Sequence, residues 1–298
     1  MKDLAPGSLE PRFVNISPRT VLCLSGPDRL RFLNGQVTQD VSLASSGQAV
    51  YSCILNAKGQ LDAVCHIREH GDRYLIDAPL ELREDLLARL DRYIIADDVE
   101  LTDESDEWIV SHLTCSNPPD CHNALFWTTK RLASPGLDLF SRSSFSMKGV
   151  RETTLESYEM TRTLQGIPKW GSELTVGLLP PEAGLEKDAI SYAKGCYIGQ
   201  EVISRMKHAG KMNRHLVKLF VPAGTSPPCP IYHEGAEAGE VTTVVRHPSE
   251  GEAHAYALGF RRRKFSEINV FDLPTNDGSP LSRAARIRNG DESGPQAS

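Results

Sequence analysis

The residue types best suited to chemistry are concentrated in KGCYIGQEVISR, residues 194–205. Cys196 lies between Gly195 and Gly199, and Lys194 precedes it by two positions. Paired glycines permit a positive φ and let the backbone approach a ligand or another chain segment closely. A neighbouring lysine and a following helix both favour the thiolate, which is the reactive form of cysteine. The stretch therefore predicts a reactive thiol; an inert buried cysteine in a glycine-bounded turn is the alternative.

The residues after Gly199 extend this candidate site. QEVISRMKH has helical spacing, with Glu201 and Arg205 as an i, i+4 ion pair. The region from 194 to 218 also carries an excess of basic side chains, on a chain whose net charge is −6. These side chains are Lys194, Arg205, Lys207, Lys211, Arg214 and Lys218. Such a basic strip suits a small anionic ligand or an RNA backbone, and a solvated face is the alternative.

The N-terminal half is predicted to alternate strands with short helices. TVLCLSG predicts a strand, after which Asp28 is placed to cap a helix that Asn34 and Gly35 end. AVYSCILNAKGQLDAVCHIREHGDRYLIDAP predicts three antiparallel strands with turns at 55–60 and 70–73. LELREDLLARLDRYII predicts an amphipathic helix, and VELTDESDEWIVSHLT returns to strand. This pattern favours an α+β fold over a doubly wound parallel sheet.

The C-terminal half has a different pattern, in which one helix is followed by short strands. SYEMTRTLQGIPKWGSEL predicts a helix that ends at Gly166. After Asn213 the segments HLVKLFVPAG, GEVTTVVRH and AYALGFRRRKF predict short strands separated by turns, as in a small β-barrel or sandwich. The final residues, NGDESGPQAS, are predicted to be disordered.

Several classes of protein are disfavoured by what the sequence lacks. No apolar run is long enough to cross a bilayer, and MKDLAPGSLEPRF has no apolar core of a signal peptide, so we expect a cytosolic, cytoplasmic protein. The seven cysteines are an odd number in a long chain, which argues against a disulfide framework. They form no CxxC pair, which argues against a multi-cysteine iron–sulfur or zinc cage. Cys115, Cys121 and His122 are the nearest metal candidate, but two prolines between the cysteines indicate an exposed loop, and we predict no metal.

The octapeptide KGCYIGQE, residues 194–201 and hereafter the signature, closely resembles the signature of YgfZ-type proteins when taken with the downstream Arg205. These proteins are a branch of the folate-binding, glycine-cleavage T-protein (aminomethyltransferase-like) superfamily. The segments LSGPDRLRFLNGQVTQDV, LNAKGQLDAVCHI, RTLQGIPKWGSEL and GEVTTVV are similar to other parts of that family, so the resemblance covers most of the chain. It implies an α+β, T-protein-like folate-binding fold.

The resemblance also implies a domain organisation. Two mixed α/β domains and a small C-terminal β-barrel are expected to form a ring around a central opening that holds tetrahydrofolate. Residues 1–48 and 150–212 would form a discontinuous folate-binding domain that carries the signature. Residues 49–149 would form a second α+β domain, residues 213–288 the C-terminal β-barrel, and residues 289–298 a disordered tail.

What the resemblance implies about function is an accessory role in the assembly or repair of iron–sulfur enzymes. Its cofactor would be tetrahydrofolate or a one-carbon derivative, and its partners would be iron–sulfur client enzymes or assembly proteins. Cys196 is the functional residue of the signature by this resemblance. The residues carried over as cofactor-binding are Lys194, Gly195, Tyr197, Gly199, Gln200, Glu201 and Arg205.

The chain departs from the aminomethyl-transferring T-proteins at two positions. Those proteins resemble Leu-Asp-Asp after the glycine turn, whereas this chain has Asp62 followed by Ala63, so a second carboxylate is missing. Asp62 stays a lone catalytic candidate, with a hairpin role as the alternative. Leu164 replaces a glutamate that can hydrogen-bond the pterin in T-proteins. Trp170 is a candidate to stack on a pterin, with core packing as the alternative.

Three functions stay open at the level of the sequence. The first is the folate-binding accessory protein for iron–sulfur enzymes. The second is a folate-dependent aminomethyl- or methyltransferase, against which Ala63 and the thiol of Cys196 argue. The third is an RNA-associated factor in tRNA modification, which the basic strip would serve, although the acidic chain as a whole does not favour nucleic acid. Whether the protein turns over a substrate is left open.

Overall fold

The structure, a computed structural model, describes residues 12–45, 47–115, 117, 123–145, 147, 149–210, 212–246, 254–274 and 285–288. These residues form two compact units. Unit 1 contains the described residues up to Tyr158, together with Thr175–Pro180 and Leu185–His208. Unit 2 contains Glu159–Leu174, Pro181–Gly184 and the described residues from Ala209 onward. No helix of the described residues is both long and apolar enough to cross a membrane.

Unit 1 is built mainly from ten strands. In chain order they are β1 (Arg12–Asn15), β2 (Arg19–Ser25), β3 (Ala49–Leu55), β4 (Leu61–His70), β5 (Arg73–Pro79), β6 (Glu100–Asp103), β7 (Ile109–Leu113), β8 (Ala124–Thr129), β9 (Gly136–Ser141) and β10 (Arg151–Glu152). The first sheet has the order β10-β1-β7-β9-β8, in which only the β1–β10 pair is parallel. The second sheet has the order β3-β4-β5-β2-β6 and is antiparallel throughout. The predicted three-strand meander is confirmed as β3-β4-β5.

The helices are short. They are α1 (Arg29–Gln36), α2 (Arg83–Asp91), α3 (Leu155–Gln165), α4 (Glu186–Ala189) and α5 (Gln200–Ala209). Single 3₁₀ turns occur at Val41–Leu43, Leu80–Leu82, Ser105–Glu107, Pro180–Ala183 and Arg263–Phe265. The helices predicted from LELREDLLARLDRYII, SYEMTRTLQ and QEVISRMKH are confirmed as α2, α3 and α5.

The two sheets of unit 1 share a core. Side chains from β2 and β5 of the second sheet pack with side chains from the first sheet in one buried cluster, which consists of Val21, Cys23, Leu75, Trp108, Val110, Trp127 and Phe140. Burial of these apolar and aromatic groups removes their surface from water and provides the main stabilisation of the paired sheets.

A network of buried charges lies within the same unit. It consists of Arg19, Arg68, Arg131, Asp77 and Asp138. The guanidinium of Arg68 donates to Asp138 at 2.6 Å and Arg131 donates to Asp138 at 2.8 Å, while Arg19 donates to Asp77 at 2.6 Å. Arg131 also bonds Asp77. Both carboxylates are fully buried, so they are stable in the ionised form only because several guanidinium groups surround each one.

Unit 2 contains a nearly closed six-stranded, barrel-like sheet. Its strands are β11 (Arg214–Pro222), β12 (Cys229–His233), β13 (Ala236–Val245), β14 (His254–Arg262), β15 (Val270–Phe271) and β16 (Ala285–Ile287), and their order is β12-β13-β14-β11-β16-β15. Tyr232 and Asp272 exchange backbone hydrogen bonds of 2.9 and 2.8 Å between the two ends of this order. The predicted C-terminal barrel is confirmed, as is the α+β class.

Two local predictions are wrong. Asp28 does not cap α1, because its carboxylate instead accepts from the Asp98 N–H at 2.9 Å and pairs with Arg31. The helix also does not stop at Asn34 and Gly35: it continues to Gln36, where the Val37 N–H bonds the Leu33 carbonyl at 3.2 Å. Gly35 has no positive φ, so nothing in its backbone ends the helix.

The domain boundaries inferred from the resemblance stay a prediction. The second sheet nevertheless joins strands from both sides of the predicted division between residues 48 and 49, since β2 pairs with β5. Cys121, His122, Lys211 and the tail from 289 to 298 lie outside the described residues. The prediction of no metal at Cys121 and His122 and the prediction of a disordered tail therefore concern residues that the structure does not describe.

Candidate functional site

Lys194, the first residue of the signature, is held by backbone carbonyls. Its Nζ lies 2.8 Å from the Asn34 oxygen, 2.9 Å from the Val37 oxygen and 2.8 Å from the Gln39 oxygen. An ammonium group has three N–H donors, so all three are used. Burial lowers the pKa of the Lys194 ammonium to about 8, and the charge of Asp40 opposes this shift. The lysine therefore has no N–H left for the neighbouring thiol or for a cofactor.

The signature turn has a second attachment to the same part of unit 1. The Ile198 N–H donates to the Gly35 carbonyl at 3.2 Å. Just before the signature, the Ser191 N–H donates to the Thr38 carbonyl at 3.0 Å, and the Thr38 hydroxyl donates to the Ala189 carbonyl at 2.6 Å. The chain on both sides of Cys196 is thus fixed to residues 34–39.

Gly199 packs directly against the β3–β4 turn. Gly199 has φ +83°, and a Cβ placed on it would lie 2.6 Å from the Asn56 carbonyl oxygen and 3.1 Å from the Gly59 Cα. Gly59 has φ +74° and is equally confined, because its Cβ would lie 2.9 Å from the Val202 Cβ. Both positions need glycine for the backbone angle and for the space. Gly195 is different: it has no positive φ, and a Cβ there would meet nothing within 4 Å.

Cys196 is exposed, which separates it from the other described cysteines. Cys23, Cys53 and Cys65 are buried, and Cys115 and Cys229 are partly buried. Burial raises the pKa of Cys53 to about 12 and also raises that of Cys65. The buried-cysteine alternative is therefore excluded for Cys196. Helix α5 begins at Gln200, as predicted, four residues after Cys196, while the ammonium of Lys194 donates all three of its N–H groups to backbone carbonyls.

Tyr197 is the buried side chain of the signature. It is 7% exposed, and its hydroxyl has no hydrogen-bond partner among the described residues. Burial raises the pKa of this hydroxyl to about 12, so it is a neutral donor. Its ring centroid lies 5.4 Å from Lys194 Nζ. A buried hydroxyl without a partner costs free energy, which a water or a polar ligand would recover.

The polar residues of α5 lie at the surface. Glu201 and Arg205 form the predicted i, i+4 ion pair, with side chains 76% and 77% exposed. Gln200 starts the helix and is partly exposed. The ammonium of Lys207 lies 3.6 Å from the ring centroid of Tyr192. The exposed ion pair of Glu201 and Arg205 contributes little to stability.

The basic strip predicted between 194 and 218 is not one continuous basic surface. Lys194 is directed into the protein, as described above, and Lys211 is outside the described residues. In unit 2, Arg214 is neutralised by Glu182 at 3.0 Å and by Glu240 at 3.2 Å. The exposed basic groups that remain on α5 are Arg205, Lys207 and His208.

Asp62 is part of an ion pair. Its carboxylate lies 3.2 Å from the Nε of Arg89, a residue of α2. Arg89 also donates to the Gln36 side chain at 3.0 Å and to the Leu55 carbonyl at 3.1 Å. This arrangement gives Asp62 a structural partner, in addition to its predicted catalytic role. Sequence reasoning missed Arg89, because nothing in the pattern of α2 connects it to β4.

Trp170 belongs to unit 2 and is 9% exposed. It forms an isolated parallel bridge with Leu174, in a turn that also contains the buried Glu173. Glu173 accepts hydrogen bonds from the hydroxyls of Thr242 and Thr243, at 2.8 and 2.6 Å. The burial of the indole agrees with the packing alternative, while its predicted role in stacking on a pterin stays a prediction.

The predicted cofactor residues fit tetrahydrofolate only in part. Lys194 has no free N–H donor. The space beside Gly199 is occupied by the β3–β4 turn. The carboxylate of Glu201 is bonded to Arg205. The hydroxyl of Tyr197 is the buried group among them with unused hydrogen-bonding capacity. Among the described residues, no group of three or more His, Cys, Asp or Glu side chains is arranged to hold a metal ion.

Comparison with known proteins gives a consistent result. No protein-family model matches the chain. The "Iron-sulfur cluster assembly factor IBA57 homolog, mitochondrial" of Neurospora crassa is 25% identical over 273 residues, which cover 82% of this chain and 57% of that protein. Human "Iron-sulfur cluster assembly factor IBA57, mitochondrial" is 29% identical over 237 residues, 70% of this chain and 66% of that protein. "tRNA-modifying protein YgfZ" of Pectobacterium carotovorum is 23% identical over 248 residues, 75% of this chain and 74% of that protein.

The fold matches a solved structure. The glycine cleavage system aminomethyltransferase T from Bartonella henselae superposes with a TM-score of 0.75, covering 94% of this chain and 85% of that chain at 15% identity. The chain therefore has the aminomethyltransferase T fold. Together with the similarity to proteins named YgfZ and IBA57, this confirms the predicted YgfZ-type resemblance within the T-protein-like superfamily. The chain spans 56 to 60% of the length of three fungal relatives named as IBA57 homologues.

Proposed function

We propose that this protein is an accessory factor in the assembly or repair of iron–sulfur enzymes and acts through the thiol of Cys196. The single observation that carries the proposal is the exposure of Cys196 on a turn that is bonded to unit 1 on both sides. An exposed thiol on a fixed turn can meet a client protein without unfolding. Curated relatives named as iron–sulfur cluster assembly factors support this context.

Tetrahydrofolate is the cofactor that we propose for this fold. Folate supplies one-carbon chemistry when it is bound, and the part of the chain would be to bind and orient it. The Tyr197 hydroxyl, which is buried and has no partner among the described residues, is the group best suited to donate a hydrogen bond to such a ligand. We expect Tyr197→Phe to weaken tetrahydrofolate binding roughly 3-fold to 10-fold, as the loss of one hydrogen bond does. Unchanged affinity in a calorimetric titration would remove Tyr197 from the site.

The deciding experiment is complementation. The native gene is deleted and replaced by wild type, Cys196→Ser or the control Cys229→Ser, which alters a partly buried thiol. The readout is the activity of an iron–sulfur enzyme in the cells, with tetrahydrofolate affinity measured on each purified protein. We expect Cys196→Ser to bind tetrahydrofolate normally and to leave the enzyme inactive. Full restoration by Cys196→Ser would overturn the proposal.

A factor in tRNA modification is the second candidate. Curated relatives named as tRNA-modifying proteins support it, and Arg205, Lys207 and His208 are exposed basic side chains of α5, of which Arg205 is paired with Glu201. Binding of phosphates by such side chains would weaken steeply with salt, because counterions are released from the phosphates. If the protein retains tRNA at low salt and loses it as the salt concentration is raised to the physiological level, this candidate is favoured. If it retains no tRNA at low salt, the candidate is removed.

Aminomethyl transfer has less support than either candidate. The fold is that of aminomethyltransferase T, but Asp62 is already paired with Arg89 and the following residue is Ala63. The chain thus offers no free pair of carboxylates at this position. The predicted cytosolic location also stays a proposal, and the names of the IBA57 relatives describe those proteins as mitochondrial.

A further inference from the structure

The ammonium of Lys194 lies at the C-terminal end of helix α1, where it bonds a carbonyl of the last turn. Helix α1 has no basic residue in its last turn. The last carbonyls of a helix lack intrahelical partners and lie at the negative end of the helix dipole, where a positive charge is stabilising. The Asn34 carbonyl in this turn accepts from the Lys194 ammonium at 2.8 Å. Lys194 therefore supplies the positive charge that the last turn of α1 does not carry.

The same ammonium group also organises the chain that follows α1. The carbonyls of Val37 and Gln39 converge on it, at 2.9 and 2.8 Å. Three carbonyl oxygens from one short segment around one cation form a small cage. Without the ammonium, three partly buried carbonyls would point at each other with no donor between them, which is unfavourable.

The turn that contains Cys196 is fixed at both of its ends. Lys194 bonds the carbonyls of residues 34–39 before it, and the Ile198 N–H bonds the Gly35 carbonyl after it. Cys196 lies between these two attachments and is exposed. Packing does not require glycine at position 195, because a Cβ on Gly195 would meet no atom within 4 Å. The attachments, rather than packing around the thiol itself, determine where Cys196 is held.

We infer that Lys194 is a positioning residue, which holds Cys196 in its exposed turn by bonding the carbonyl cage of residues 34–39, and that it is not a ligand for a cofactor. The inference rests on the proposed function in one respect, because it takes Cys196 to be the functional thiol. The bonding role of Lys194 itself is independent of that function.

The cage depends on the charge of the lysine. A neutral amine has two N–H donors instead of three, so its deprotonation leaves one carbonyl without a partner. Burial lowers the pKa of Lys194 to about 8, so this loss occurs at mildly alkaline pH. The titratable groups recorded beside the ammonium are the carboxylate of Asp40, which favours the charged form, and the neutral ring of Tyr197. Because burial makes the pKa of Lys194 lower in the closed turn than in an opened, solvated one, the closed turn should be favoured as the pH rises from about 8, although one carbonyl bond is lost.

Amide hydrogen exchange tests the inference on the full chain. We compare wild type with Lys194→Met, which keeps the length of the side chain and removes its donors, and with Lys187→Met, an exposed control. In Lys194→Met, exchange of peptides from residues 190–199 should accelerate roughly 10-fold to 100-fold, as expected for the loss of charge-assisted hydrogen bonds. Peptides from β11 and β14 should not change. Equal exchange in wild type and Lys194→Met would overturn the inference.

Chemical rescue and pH separate positioning from a general loss of folding. The substitution Lys194→Ala removes a group of the size and charge of n-propylammonium. Added n-propylammonium at millimolar concentration should therefore occupy the cage and restore slow exchange. Tetramethylammonium, which has no N–H donor, should not restore it. Wild type should show slower exchange above about pH 8, after correction for intrinsic base catalysis, because opening the turn then requires Lys194 to take up a proton, and Lys194→Met should not show this change. Equal effects of the two ions, or the same pH response in both proteins, would contradict the cage.

The outcome for function is read separately by complementation. If Cys196→Ser restores the iron–sulfur enzyme fully, the proposed function fails, while the exchange results for Lys194 still stand. If exchange is unchanged in Lys194→Met, the positioning role fails whatever Cys196 does. If both hold, Lys194→Met should reduce complementation, and Lys187→Met should leave it at the level of wild type.

Discussion

Gly59 of the β3–β4 turn and Gly199 of the signature are packed backbone against backbone. A Cβ on Gly199 would lie 3.1 Å from the Gly59 Cα, and one on Gly59 would lie 3.4 Å from the Gly199 carbonyl oxygen. The two motifs are far apart in the sequence, yet each one takes the space that a side chain on the other would need. The signature is therefore a packing motif as well as the setting for a thiol.

Replacement of Gly199 by alanine should destabilise the protein. The positive φ and the 2.6 Å approach to the Asn56 oxygen both oppose a Cβ, so we expect Gly199→Ala to lower the free energy of unfolding by about 1–3 kcal/mol. Urea unfolding followed by circular dichroism measures this change. Gly195→Ala is the matched control and should change stability by no more than about 0.5 kcal/mol. Equal effects of the two substitutions would show that the signature does not need Gly199 for packing.

Alkylation should distinguish Cys196 from the other described cysteines. Its thiol is exposed, whereas burial raises the pKa of Cys53 to about 12 and shields it from reagents. At pH 7.5 we expect iodoacetamide to modify Cys196 at least roughly 10-fold faster than Cys53 or Cys65. Peptide mass spectrometry at successive times gives the rates, and the same reaction in denaturant serves as the control. If Cys53 reacts as fast as Cys196 in the folded protein, the described burial is wrong.

His66 should make the stability of unit 1 sensitive to mild acid. Burial and the charge of Arg131 hold the pKa of His66 well below its usual value near 6.5. The native state keeps the ring neutral, while the unfolded chain takes up a proton below about pH 6.5. The free energy of unfolding should thus fall as the pH drops from 7 to 5, by at most about 1.4 kcal/mol per pH unit for this group.

The control for this prediction is His66→Phe, which keeps an aromatic ring beside Tyr51, whose ring centroid lies 4.7 Å from that of His66. Urea unfolding at pH 5, 6 and 7 should give a shallower dependence for the variant. An identical slope in both proteins would assign the acid sensitivity to other groups.

Removal of one buried carboxylate should cost far more than removal of a surface one. Asp138 is fully buried and accepts from Arg68 and Arg131, so Asp138→Asn leaves two buried guanidinium groups poorly compensated. We expect a loss of about 3–5 kcal/mol in the free energy of unfolding. Glu201→Gln, in the exposed pair with Arg205, should cost no more than about 0.5 kcal/mol. A small effect of Asp138→Asn would show that the buried charges are not stabilised by one another.

Much of the fold could be predicted because it depends on local patterns. The strands β3, β4 and β5 follow from apolar runs separated by glycine turns, and helix α5 follows from its spacing. The role of Lys194 could not be predicted, since its partners are backbone carbonyls of residues 34–39, which carry no mark in the sequence. The same holds for Asp62, whose partner Arg89 is brought near only by the packing of α2. The sequence predicted candidate site residues, while the bonding partners of those residues depend on long-range contacts.

The position of β1 affects the order in which the chain can fold as it is synthesised. Phe13 pairs with Leu113 on one side and with Glu152 on the other, so the first sheet cannot be completed before residue 152 has been made. The second sheet needs only residues up to Asp103. During this interval Val21 and Leu75, which are fully buried in the finished protein, have no opposing sheet to cover them. A half-finished chain would present an apolar sheet face and an unpaired strand, which are the features that chaperones bind and that promote aggregation.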